Sequence, residues 1–179
     1  MMQILERLHH RLSMMIGRGR LQTGNDSGNV QMLQVRFNAD EVYDNQPRLA
    51  EYGFTSMPPT DADAVVIFVG GERSNGVIIA TGHQASRLKG LKPGEAALYD
   101  NLGQSIYLTR TGIVIDGAGL PITITNAPNI SLDTSGNLSV SGNIADSTGK
   151  TLAGARAVYN GHTHSDPQGG TTGTPGASM

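Results

Sequence analysis

Apolar side chains change their spacing twice along this chain of 179 residues. At the start, Leu5, Leu8, Leu12 and Met15 recur at intervals of three and four, which places them on one face of a helix. This predicts an N-terminal helical segment over residues 1–20, ended by Gly17 and Gly19. Two heptads are too few for an independent coiled coil, so the helix is expected to pack on its own domain or on a neighbouring subunit. Arg18 and Arg20 are expected to be solvated surface.

From residue 21 the pattern turns to β. Residues 30–37 (VQMLQVRF) alternate apolar and polar for much of their length, and residues 64–69 (AVVIFV) form a continuous apolar run, expected as a buried strand. Pro58 and Pro59 mark the loop leading into it. Residues 70–76 (GGERSNG) read as a turn and 77–80 (VIIA) as the returning strand. Short strands with glycine turns over residues 21–92 predict a small OB-fold-like barrel. Stacking aromatics and a basic groove, which such a barrel needs to hold an oligonucleotide, are not evident, so a scaffold role is expected.

The C-terminal part repeats. Apolar pairs at i and i+2 recur as Ile106/Leu108, Ile113/Ile115, Ile122/Ile124, Ile130/Leu132 and Leu138/Val140. Their starts step by 7, 9, 8 and 8 residues, with Gly, Asn, Asp and Ser turn signals between them. Each strand has one apolar face, and a step near eight is too short for a full rung of a single-chain solenoid. One chain offers too little apolar surface to offset the ordering of so much backbone. Several copies winding together would share one core. The simplest closed arrangement is a three-sided prism, so a homotrimer is expected. The fold class is therefore all-β: the barrel, then an intertwined trimeric β-helix over residues 93–160, then an apex and tail over residues 161–179.

Composition agrees with two regimes. Residues 1–110 hold 11 of the 13 Lys and Arg and seven of the eight aromatics, and Tyr159 is the one aromatic beyond. The chain has no Cys and no Trp, which excludes disulfides, cysteine-ligated metals and thiol nucleophiles. A net charge of −2 argues against a nucleic-acid partner held by phosphate contacts. No apolar run is long enough to span a bilayer, and charged residues near the N-terminus argue against a secretory signal.

The chemistry concentrates at Gly-His162-Thr-His164-Ser-Asp166-Pro. On an extended strand His162 and His164 face the same side. In a lone chain such a pair is usually surface. Around a threefold axis, three copies supply six imidazole nitrogens, an octahedral site suited to a first-row transition ion. With every position filled, the metal would clamp chains together rather than catalyse. Asp146 or Asp166 could add a hard cation such as calcium if three copies converge, though a solvated turn aspartate is the commoner reading of each. His9, His10 and His83 lack ligand spacing. Asp61 and Asp63 place two carboxylates on one side of a strand start, and no enzyme constellation stands out. The rival readings are a trimeric β-helical depolymerase, which needs paired acids and aromatic platforms, and a passive surface adhesin.

Residues 61–82 (DADAVVIFVGGERSNGVIIATG) resemble the strand–turn–strand of the barrel domain in contractile-injection spike proteins. Residues 94–108 with 112–115 resemble the start of their β-helical spike, and His162-x-His164 resembles the iron-binding motif at the end of short phage spikes. Together they resemble the baseplate central spike family of Mu-type contractile-tailed phages. That resemblance implies a homotrimer in the virion tail baseplate, attached to the baseplate hub beneath the tail tube. It implies a tip that pierces the host outer membrane. It also implies one iron per trimer at His162 and His164, with calcium and chloride on the axis. Residues 168–179 run past the histidines and are expected to fold back along the tip or to be disordered.

Overall fold

The computed structural model describes residues 2–179. Helix α1 spans Met2–Ser13 and strand β1 spans Ile16–Asn25. The helix thus ends before the two glycines expected to stop it. Gly17 and Gly19 are buried strand residues, and their missing side chains make room for others. A Cβ on Gly17 would lie 2.5 Å from the Phe37 ring, and one on Gly19 would lie 2.6 Å from the Arg36 carbonyl oxygen. Packing, not helix capping, requires glycine there.

Strands β2 (Gln31–Arg36), β3 (Val42–Arg48), β4 (Asp63–Phe68) and β5 (Gly76–Gly82) complete a closed barrel with β1, in the order β1-β2-β3-β5-β4. All pairings are antiparallel except β3 with β5, which meet in parallel at Arg48 and Ile78. Five strands is the count that an OB-fold-like domain requires. β3 has almost no sequence signal, because after Val42 and Tyr43 it reads Asp-Asn-Gln-Pro-Arg.

The barrel interior holds Leu21, Leu33, Val35, Ala62, Ala64, Val66, Phe68 and Ile78. The apolar run expected as a buried strand is buried on one side only. Ala64, Val66 and Phe68 point inward, while Val65 and Ile67 are half-buried on the outer wall. A barrel takes one face of each strand inside, so a period of two reappears within a uniformly apolar run. Phe37, Tyr43 and Phe68 meet in edge and tilted contacts, and the Arg73 guanidinium lies 4.4 Å from the Phe68 centroid. Arg73 comes from the turn after β4 and pairs with Glu41 at 3.4 Å.

After the barrel, β6 (Ala96–Tyr99), β7 (Ser105–Leu108) and β8 (Ile113–Asp116) form a three-stranded antiparallel sheet. The chain divides into two compact units, Met1–Thr123 and Ile124–Met179. Among the described residues, 117–150 carry no strand, only an isolated bridge between Ala145 and Thr151. Residues Leu152–Gly161 form helix α2, which corrects the expected strand train over 93–160. Ala153, Ala155 and Ala157 favour helix, and Thr151 caps it by accepting from the Gly154 amide at 3.0 Å. The described residues are therefore mostly β with two α-helices, not all-β throughout.

One turn recurs three times, at 100–105, 146–151 and 166–171, with the sequence Asp-x-x-Gly-x-Ser/Thr. In each, the aspartate amide donates to the carbonyl of the residue four ahead (Gln104, Lys150 or Gly170). The aspartate Oδ1 accepts from the amide two ahead (Leu102, Thr148 or Gln168). The glycine has φ of 92°, 78° or 88°, a conformation that a side chain would strain.

Candidate assembly face and metal centre

The sheet β6–β8 has two unlike faces. Cross-strand rows put Leu98, Ile106 and Ile115 together, and Ala96, Leu108 and Ile113 together, on one face. The other face carries Ala97, Tyr107 and Val114, then Tyr99, Ser105 and Asp116. The first face is entirely apolar, yet the described residues leave much of it uncovered: Ile113 is 70% exposed and Ile115 59%. Further along, Ile122, Ile124, Ile130, Leu132, Leu138 and Val140 are exposed too. So much aliphatic surface exceeds what a soluble monomer ordinarily leaves to water.

Glu95 ties the first turn of this region together. Its carboxylate accepts from the Tyr107 hydroxyl and from the Lys92 and Arg110 amides. The Tyr107 hydroxyl, then the Lys92 amide, hold the Glu95 carboxyl below its usual range, and the same bond raises the Tyr107 phenol.

His162 follows α2 directly as its C-cap. Its Nδ1 lies 2.6 Å from the Tyr159 carbonyl oxygen. His164 opens the third Asp-Gly turn: its amide donates to Thr172 Oγ1 at 2.9 Å, and its carbonyl accepts from the Thr172 amide at 2.9 Å. The two residues are not on a continuous strand, but their rings still meet. Their centroids are 5.0 Å apart and the planes stand at 87°. No group of three or more His, Cys, Asp or Glu is gathered for a metal among the described residues. One chain brings two imidazoles together here, a donor set whose chemistry would fit a first-row transition ion. The tail turns back, with Ser165 bridged to Thr171 and the Met179 amide donating to Asn160 Oδ1.

The other singled-out residues have local work. Asp146 and Asp166 hold their turns, and the Thr148 hydroxyl and amide keep the Asp146 carboxyl low. Arg18 and Arg20 are not merely solvated, since Arg18 bonds Asp63 at 3.2 Å and Arg20 bonds the Asp61 carbonyl at 2.8 Å. The Gln84 amide and Arg18 hold the Asp63 carboxyl below its usual range, the opposite of what a general acid needs. His83 bonds Ser86, and His9 and His10 lie exposed on α1. Among the described residues, no helix is long and apolar enough to cross a membrane.

Residues 18–85 match the family described as Bacteriophage Mu Gp45, N-terminal. The match runs from β1 to just past β5, the five strands that close the barrel. The chain is also 34% identical over 110 residues to the "Baseplate puncturing device gp45" of Escherichia phage Mu, covering 62% of this chain and 56% of that protein. It is 33% identical over 113 residues to the "Mu-like prophage FluMu protein gp45" of Haemophilus influenzae, covering 63% of this chain and 62% of that one. The chain thus spans less than two thirds of either Mu Gp45 relative, and its likeness to the Mu-type baseplate spikes stands.

Proposed function

We propose that this chain is the subunit of a homotrimeric, non-enzymatic spike in a contractile-tail baseplate, and that it works by mechanical puncture of the host outer membrane. The relative named for baseplate and puncturing supports the baseplate role and a place in the virion tail. The observation that carries the trimer is the uncovered apolar face of β6–β8, continued by the aliphatic pairs through Val140. Three copies winding about one axis would turn those faces inward and give each strand a partner. Such a prism resists load because its chains cannot separate without losing strand pairing along its length. The barrel would be its attachment to the baseplate hub and tail tube. At the chain ends His162 and His164 from three copies would hold one iron ion in six nitrogens, with calcium and chloride as further axial ions. When bound, the iron would crosslink the three copies.

The test is solution mass together with metal content. The expected result is three chains per iron, and a His162→Ala, His164→Ala variant that keeps the trimer and loses the iron. A monomer with an ordered C-terminal half would reject the trimer. Equal iron in both proteins would reject the histidine site.

A further inference from the structure

Helix α2 ends with carbonyl groups that have no partner within the helix, as every α-helix does. One of them, the carbonyl of Tyr159, sits 2.6 Å from Nδ1 of His162. A carbonyl oxygen can only accept, so at this distance Nδ1 carries the hydrogen. A neutral imidazole has one hydrogen, and Nε2 is then left with its lone pair bare. The Tyr159 ring packs on the same imidazole at 5.5 Å between centroids, which restricts its rotation. His164 approaches the ring at 5.0 Å and right angles.

We infer that the Tyr159 carbonyl is a positioning group for the metal centre: it locks His162 in the Nδ1–H tautomer, so that Nε2 is the nitrogen this side chain offers to the ion. The inference rests on the metal reading proposed above and adds which atom binds and what aims it. α2, capped at its start by Thr151, is then the mount for the first ligand. The backbone pair between His164 and Thr172 is the separate mount for the second. Partners on the second nitrogen of a ligating histidine ordinarily set ring orientation and basicity, and their loss weakens metal binding by about 10–100-fold.

The test uses the full-length protein with methylated histidine built in at position 162, and ferrous ion added without oxygen after chelator treatment. Long-range hydrogen–nitrogen spectra of the metal-free protein should show His162 protonated on Nδ1. Methylating Nδ1 removes the carbonyl bond and keeps Nε2, so ferrous ion should still bind, at about 10–100-fold lower affinity. Methylating Nε2 should abolish binding. A helix cap without a metal role would show the same tautomer but the same affinity after Nδ1 methylation, and that result overturns the inference. Protonation on Nε2, or binding that survives Nε2 methylation, overturns it as well. If the unmodified protein takes up no ferrous ion while His162 shows the Nδ1–H form, the metal reading itself fails and this inference falls with it.

Discussion

Replacing Ile113 by Thr tests the inward-face argument with little disturbance of the single chain. Threonine keeps the branch at Cβ that suits a strand and exchanges an ethyl group for a hydroxyl. In one chain Ile113 is 70% exposed, so the change should cost the isolated subunit no more than about 0.5 kcal/mol. In a trimer the exposed fraction becomes buried. Two carbons at ~0.8 kcal/mol each, scaled by that exposure, give about 1 kcal/mol per chain and roughly 3 kcal/mol for three. A hydroxyl left without a partner adds to this, so the figure is a lower bound. It corresponds to about a 100-fold fall in the association constant. For a monomer–trimer equilibrium the midpoint concentration varies as the inverse square root of that constant. The midpoint should therefore rise at least about tenfold. Sedimentation over a dilution series reads this directly, at a fixed low denaturant concentration if the trimer persists in water. Val114 is the control, because it sits on the opposite face of the same strand and is 50% exposed. Val114→Thr should leave the midpoint in place. Equal shifts from both variants, or none from either, would refute the assignment of the inner face.

Two further outcomes follow from the packing and the electrostatics. Phe68→Ala should lower barrel stability by about 3–5 kcal/mol in a denaturant titration, because a fully buried ring that also stacks with Phe37, Tyr43 and Arg73 is lost. Acid should destabilise the fold. The carboxyls of Asp63, Glu95 and Asp146 are held below their ordinary range, so their contribution is present above the unfolded carboxylate pKa and disappears as pH falls through the folded values. Melting temperature measured against pH should decline on the acid side, and Glu95→Gln should make that decline shallower; an unchanged slope would count against the Glu95 bonds.

Several elements are legible in the sequence alone. The three-four spacing of Leu5, Leu8 and Leu12 marks α1, and the strands β2, β4 and β5 lie where alternation or apolar runs place them. The i, i+2 aliphatic pairs gave the β7 and β8 side chains that line the apolar face. The histidine pair stood out by spacing, and the structure brings its rings together by a different local route, a helix end and a turn. The recurring Asp-x-x-Gly-x-Ser/Thr turn is present in the sequence, but its variable positions hide it among polar, glycine-rich stretches. The α2 signal was likewise available in the alternate alanines after Thr151.

What the sequence determined by itself is local and periodic. Which side of a strand is apolar, where a turn needs glycine, and how little of the C-terminal half could be buried by one chain all follow from residue type and spacing. Only the tertiary structure decided matters that depend on residues far apart in sequence. Gly17 reads as a helix stop until Phe37 and Phe68 are seen to occupy the space beside it. β3 forms despite its polar, proline-containing sequence because β2 and β5 supply its hydrogen-bonding partners. Spacing named the two histidines, but which nitrogen of His162 is free depends on a carbonyl that a folded helix end alone brings within reach.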